Sequence, residues 1–384
     1  MRLSTAGVAV MLLGVFLFHA AKFDPKVTLG DFVGYWSSGH AFIADANPYD
    51  EATLSAYERA LGWDDEATMF VWYPPWGLLI TAWFGLLPFW PARLLFLVLT
   101  LVLLVLAGGW LWRRAGGQAA GVWQGELVAL LFIPSLFCAW VGQMSVLLLA
   151  GILAAVWLLE HEHDWLAGLA LCVVSLKPQV AHLFFALLFL WCISYRRWRI
   201  LTGWLGGLLL ALLLVFWMNP AVSWEAMLSR GGPLLMSHPT LGFTLRLLTG
   251  EYALQFVPTL VGLTILLFGW LSWWRHFNWR RHLPLLLALS LATMCFGWTS
   301  DMTLLLPAVI YLLVRAEELL AAGQARAGWA LLLGLAVLQV LNAVPGQVGV
   351  NVFVASAWLP FAVLFLLGWL RLVERRQQVS GPAR

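Results

Sequence analysis

Between Arg93 and Arg113 no charged side chain interrupts the chain, and runs of this kind recur along its whole length. A run of about twenty apolar residues is what an α-helix needs to cross a hydrocarbon core of about 30 Å. In lipid an unpaired backbone N–H or C=O is costly, so only helices and closed barrels can span it, and continuous apolar runs of this length read as helices. Composition agrees, with 62% apolar and 11% charged residues against roughly 25% charged in a soluble domain. The expected fold is an all-α polytopic membrane protein.

Spans are expected near Thr5–Ala20, Arg93–Trp112, Val122–Ala139, Ser145–Leu159, Trp165–Leu176, Val180–Ser194, Ile200–Met218, Ala253–Trp274, Leu283–Gly297, Thr303–Val314, Ala327–Ala343 and Val352–Leu370. The first is read as an uncleaved helix, because Ala21-Lys22-Phe23-Asp24-Pro25 is a poor small-residue cleavage site. The segment Trp76–Leu87, bounded by prolines, is too short for an upright crossing. Arg196 to Arg199, Arg275 to Arg281, Arg315 to Arg326 and Arg371 to Arg376 all fall on the cytoplasmic side if the chain alternates from Ser194 onward, as basic loops tend to. The expectation is about twelve crossings with both ends inside. It describes one polytopic domain over residues 1–376, with outer loops at 22–73 and 219–252 and a cytoplasmic tail at 377–384.

Net charge is +3 and spread between loops, which gives no footprint for nucleic acid. Cys138, Cys172, Cys192 and Cys295 lie in apolar segments without metal-ligand spacing and read as buried thiols. No phosphate-binding Walker loop, dinucleotide turn or HExxH pair is present, so nucleotide hydrolysis and zinc peptidase chemistry have no support.

The polar chemistry of such a chain concentrates in its first outer loop. From Lys22 to Val71 it holds nine acids against three basic residues. Asp31, set among Phe32, Tyr35 and Trp36, is either a general base, a role that typically contributes about 10²- to 10⁴-fold, or a cap for the helix beginning at Phe32. Asn47-Pro48-Tyr49-Asp50 is a turn, with Asp50 capping a short helix whose Leu54, Tyr57 and Leu61 share a face laid on the membrane surface. Tyr73-Pro74-Pro75 stiffens the approach to the next apolar segment. Lys177, flanked by apolar sequence, either meets a phosphate or snorkels to the interface. Gln143 binds a sugar or caps its turn. His238 and Asp301 are further outer-side polar groups, Asp301 as a cap for a helix starting at Met302. Glu160 to Asp164, with His161 and His163, reads as a solvated turn.

The order of these pieces resembles the polyprenyl-phosphate-sugar-dependent glycosyltransferases of family 87, in the membrane class called GT-C. The matching features are Asp31-Phe32 with Tyr35-Trp36, Asn47 to Asp50, Tyr73 to Pro75, Leu87-Pro88, Gly142-Gln143, Gly168, Leu176 to Pro178 and Arg196 to Trp198. A late Trp298-Thr299-Ser300-Asp301 resembles the family's outer turn without the His that turn often carries. The resemblance implies a GT-C-like bundle in which Asp31 is the base. It implies substrate contacts from Tyr35, Trp36, Asn47, Tyr73, Gln143, Lys177, His238 and Asp301. Its reaction would move a hexose, mannose being the familiar sugar, from a polyprenyl-phosphate donor to an envelope glycolipid or glycan, with inversion and without metal or other cofactor. Membrane lipids would surround it in a bacterial inner membrane, with the site facing the periplasm or exterior. Rival readings are a flippase for a lipid-linked saccharide and a non-catalytic subunit of an envelope-polymer assembly.

Overall fold

A computed structural model describes residues 29–63, 68–70, 72–223, 225, 238–347 and 356–380. The expected span Thr5–Ala20 and most of the second outer loop lie outside these residues. In chain order the helices are α1 Phe32–Ile43, α2 Glu51–Ala60, α3 Leu78–Gly85, α4 Phe89–Ala115, α5 Val122–Leu131, α6 Ile133–Val141, α7 Ser145–Glu160 and α8 Asp164–Val174. They continue as α9 His182–Tyr195, α10 Trp198–Met218, α11 Leu241–Thr249, α12 Val257–Trp273, α13 Trp279–Thr293, α14 Leu306–Ala321, α15 Ala325–Gln347 and α16 Leu359–Ser380. Among the described residues there is no strand. The chain divides into two compact units, one of Met1–Leu104, Leu136–Pro178 and Phe189–Met236, the other of Val105–Ser135, Gln179–Leu188 and Ser237–Arg384.

In the first unit α1 is buried on every side from Phe32 to Gly39, as expected of a helix apolar all round. It meets α3 at two glycines. A Cβ on Gly39 would stand 2.1 Å from the Thr81 carbonyl oxygen, and one on Gly85 2.4 Å from the Gly39 carbonyl carbon. Small residues let two helix backbones approach this closely. The end of α1 is clasped by Asn219, fully buried, whose amide donates to the carbonyls of Phe42 (3.0 Å) and Ala46 (2.8 Å). Elsewhere in this unit Gly168 of α8 and Gly203 of α10 make a second close crossing. Arg197 grips Asp164 through Nε (2.7 Å) and Nη2, tying the start of α8 to the turn before α10.

Asp50 caps α2 as expected, accepting from the Thr53 backbone N–H at 2.9 Å and its hydroxyl at 2.8 Å. The membrane-surface placement of α2 is corrected. Leu54 is fully buried in protein, and Tyr57 meets the edge of the His40 ring at 4.9 Å. The apolar face of α2 is turned onto α1, which offers it a packed partner.

Glu58 is buried on that same face and accepts from the Met69 N–H at 3.0 Å. Burial pushes its carboxyl from the ordinary 4.5 up to about 7, with the Met69 N–H pulling the other way. A carboxyl raised in the folded state binds more protons there than when unfolded. The stability it carries is therefore complete below 4.5 and lost as pH rises through about 7. Thermal unfolding is expected to show the first unit more stable at mildly acid than at mildly alkaline pH by about 2 to 3 kcal/mol. Glu58→Gln, which keeps an acceptor for Met69, should flatten that dependence; an unchanged pH profile in Glu58→Gln would refute the assignment.

In the second unit the expected span Val122–Ala139 is broken at Phe132, where α5 and α6 meet at a bend of 56°. Gln339 of α15 heals the break, donating to the Leu131 carbonyl (3.1 Å) and accepting from the Ile133 N–H (3.3 Å). Freed backbone groups at membrane depth need such a partner. His182 is similarly engaged, with Nδ1 2.9 Å from the Gln179 carbonyl oxygen and Nε2 3.3 Å from the Thr293 hydroxyl. The four cysteines are free thiols, three of them buried and Cys172 half-buried.

Among the described residues five helices are long and apolar enough to cross a membrane, or six if the bent α5–α6 pair counts as one span. The expected span Trp165–Leu176 is the 11-residue α8, which at 1.5 Å per residue is about 16 Å long and half the core. Trp76–Leu87 holds only the 8-residue α3 after a short turn of 3₁₀-helix.

Candidate active site

Two residues of the first unit that stand far apart in sequence, Asp31 and Gln143, each follow a glycine in the left-handed region, Gly30 at φ +53° and Gly142 at φ +75°. The glycines also pack against each other's chain. A Cβ on Gly30 would stand 2.5 Å from the Val141 carbonyl oxygen, and one on Gly142 2.6 Å from the Phe32 Cβ. No side chain fits at either point, and φ here is unfavourable for any L-residue with a Cβ. The interlocked turns set Asp31 beside Gln143, and the Gln143 Nε2 donates to the Asp31 Oδ2.

That contact bears on the cap reading of Asp31. It occupies the N-cap position of α1 but its side chain makes no cap hydrogen bond, and its backbone is already helical at φ −67°, ψ −17°. A capping Asp has extended backbone and accepts from an N–H of the first turn. The Asp31 carboxylate is directed instead at the Gly142-Gln143 turn.

Gln143 is the centre of the cluster. Its Oε1 accepts from the Tyr35 hydroxyl at 2.7 Å and from the Lys177 ammonium at 2.8 Å. An ammonium has no acceptor capacity, so it selects the amide oxygen and leaves the NH₂ for the carboxylate. One amide thus joins an acid and a cation. Tyr35 lies one turn along α1 from Asp31, and its ring is 5.8 Å from that of Tyr73. The Tyr73 hydroxyl is 2.6 Å from the Ser38 hydroxyl and 2.9 Å from that of Thr81. Burial raises the Tyr73 phenol above its ordinary range while these two hydroxyls pull it down, so it serves as a neutral hydrogen-bonding group. The Tyr49 hydroxyl donates to the Tyr73 carbonyl at 3.1 Å, which ties the 47–50 turn to the approach held by Pro74-Pro75.

Sequence reasoning passed over Arg93, taken only as the edge of a span. It is fully buried. Its Nη2 donates to the carbonyls of Ala139 (3.2 Å) and Trp140, the last carbonyls of α6 before the Gly142 turn. Its guanidinium lies 5.6 Å from the Phe32 ring centre and within electrostatic reach of Asp31. The signal was available, because an ionisable residue opening a long apolar run is a site candidate by default.

The remaining expected contacts have other partners within their own units. Trp36, next to Tyr35, points to another side of α1, as adjacent helical residues do. Its Nε1 donates to the Leu87 carbonyl at 2.9 Å and its ring stacks on His40 at 4.8 Å. Asn47 holds its turn, accepting from the N–H groups of Tyr49 (3.2 Å) and Ser223 (3.3 Å). His238 and Asp301 belong to the second unit. His238 is fully buried, with the Trp298 ring 5.0 Å away and the Phe296 ring 5.9 Å away. Asp301 is also fully buried, and its Oδ2 accepts from the Trp298 N–H at 2.8 Å. It caps the 3₁₀ turn Thr299–Leu305 from the third position, reaching back to Trp298, whereas the sequence suggested a cap for a helix beginning at Met302.

Chemically the cluster can do two things at once. A carboxylate held by an amide can take a proton from a hydroxyl, and an ammonium on the same amide can face an anion.

Residues 70–307 match the family model described as Glycosyltransferase family 87. The match takes in Tyr73, Gln143, Lys177, His238 and Asp301, while Asp31, Tyr35, Trp36 and Asn47 precede it. A search of curated proteins and a search of solved structures each return no match. The matched stretch is more than half of the 384 residues, and it carries the apolar helices of a membrane protein: the chain belongs to glycosyltransferase family 87.

Proposed function

We propose that this glycosyltransferase moves a hexose, mannose by the family resemblance, from a polyprenyl-phosphate donor to a hydroxyl of an envelope glycolipid or glycan. On this reading the chain is a GT-C bundle of about twelve crossings in a bacterial inner membrane, with the loop at 22–73 on the outer face. The observation that carries the reading is the Asp31–Gln143–Lys177 linkage, which supplies a base and a phosphate-binding cation from one rigid cluster.

Asp31 takes the proton of the acceptor hydroxyl as that oxygen attacks the anomeric carbon. The bond from that carbon to the phosphate oxygen breaks, and the lipid phosphate leaves with the electron pair. A single displacement inverts the anomeric centre. Lys177 stabilises the charge gathering on the phosphate, the role a fixed cation plays best in a site closed to water. Tyr35 and Gln143 hold the two groups, and no metal is required because a lipid monophosphate already leaves readily.

The test uses purified protein in liposomes with a radiolabelled polyprenyl-phosphate hexose and an envelope-glycolipid extract. Label should pass to the acceptor with release of polyprenyl phosphate. Movement of the intact donor across the bilayer without transfer would replace this reading with a flippase. Silence across several hexose and pentose donors would favour an assembly subunit.

A further inference from the structure

The second unit carries a recess that sugar transfer does not use. Its cavity of about 500 Å³ is lined by His276, Arg281, His282, Arg371, Glu374 and Arg375. It continues into a small cleft bounded by Pro284, Leu285, Leu367 and Leu370, sharing Arg281 and Arg371 with the larger cavity. The two helices that form it, α13 and α16, pack on each other.

The charge is one-sided. Glu374, the acid among the lining residues, is already engaged, its Oε1 accepting from Arg315 Nη2 at 2.5 Å and Nε at 3.1 Å. Arg281, Arg371 and Arg375 are left facing one another. Burial lowers the Arg371 guanidinium from its ordinary range and the neighbouring Arg281 cation lowers it further, while Tyr311 and Glu374 pull it up and Arg375 pulls it down. Like charges gathered in a concavity favour an anion, and a planar guanidinium fork suits phosphate oxygens above other anions. The clusters Arg275–Arg281 and Arg371–Arg376 also lie at the membrane boundary that charge alternation assigns to the cytoplasm, the setting in which basic pockets between helices hold lipid phosphates.

We infer that this recess binds the phosphate of an anionic membrane phospholipid, with Arg281 and Arg371 on the phosphate. The site is independent of the reading of Asp31 and Lys177.

Native mass spectrometry of the full chain in detergent, with phosphatidylglycerol and phosphatidylcholine added in equal amounts, tests it. The wild type should retain phosphatidylglycerol preferentially. Arg281→Gln with Arg371→Gln should weaken that retention about twenty- to thirtyfold, each cation at a membrane surface being worth about fivefold. Arg281→Lys with Arg371→Lys should restore most of it, which separates lost charge from lost fold. Arg196→Gln with Arg199→Gln, in the other unit, should change nothing. Equal retention of the two lipids, unchanged retention in the Gln pair, or an equal loss in the Arg196 and Arg199 pair would overturn the site. Displacement of the lipid by excess inorganic phosphate alone would assign the recess to a soluble phosphate and overturn the lipid as its ligand.

Discussion

Asp31→Asn is expected to lower transfer by about 10²- to 10⁴-fold, the range for losing a general base, while leaving donor affinity and folding unchanged. Asn has the shape of Asp and still offers an oxygen to the Gln143 amide, so the cluster stays assembled. Lys177 keeps its place on the Gln143 oxygen, and the phosphate should bind as before. The loss should therefore appear in kcat with KM preserved, as when an interaction made only in the transition state is removed. Thermal unfolding should move little, because Asp31 makes no cap hydrogen bond whose loss would loosen α1. A variant that transfers at near wild-type rate would end the assignment of Asp31 as base. A variant that unfolds would return it to a structural role.

Gly142→Ala should damage stability and transfer together. The new Cβ would stand 2.6 Å from the Phe32 Cβ and 3.2 Å from the Arg93 Cζ. Arg93 is fully buried and fixed on the end of α6, so neither neighbour can yield cheaply. A left-handed φ for Ala adds about 1 to 2 kcal/mol. Movement of the turn by about 1 Å would displace Gln143 from Asp31, and misplacement on that scale costs about 10²-fold. Gly323→Ala is the control, since Gly323 also has a left-handed φ of +77° but open space around its would-be Cβ. It bears the backbone strain without the clash. If the two variants melt and transfer alike, the close packing of the turns contributes nothing.

Much of the fold was legible because its causes are local. The Asp50 cap and the short segment after Pro75 are set by residues adjacent in sequence, and the apolar runs gave the helices. The lengths of individual helices were not, since hydropathy reports apolar residues without reporting where a helix ends. Trp165–Leu176 reads as a span, yet α8 is half the needed length. The break at Phe132 has a local cause in Pro134, which has no N–H for the Leu130 carbonyl, but its partner Gln339 lies more than two hundred positions away. The face of α2 illustrates another limit, as its periodicity gave the apolar side but could not say whether lipid or α1 covers it.

The site divides along the same line. Asp31, Tyr35, Gln143 and Lys177 were each singled out in the sequence, but the spacing of 112 positions between Asp31 and Gln143 gives no sign that they meet. Trp36 looked equivalent to Tyr35 until the helix turned it toward Leu87. Asp31 was ambiguous for a physical reason, because an acid at the start of a helix has the same sequence whether it faces the first turn or looks away.

The interlocked turns of Gly30 and Gly142 have a consequence for inheritance. Neither glycine can be exchanged while the other's neighbours stay as they are, so the segment bearing Asp31 and the segment bearing Gln143 form one heritable part split between two stretches of chain. A chimera that takes residues 30–50 from a relative whose second turn has diverged would receive a carboxylate with no seat. Diversification toward new acceptors therefore has more freedom in the walls around this joint than in the joint itself.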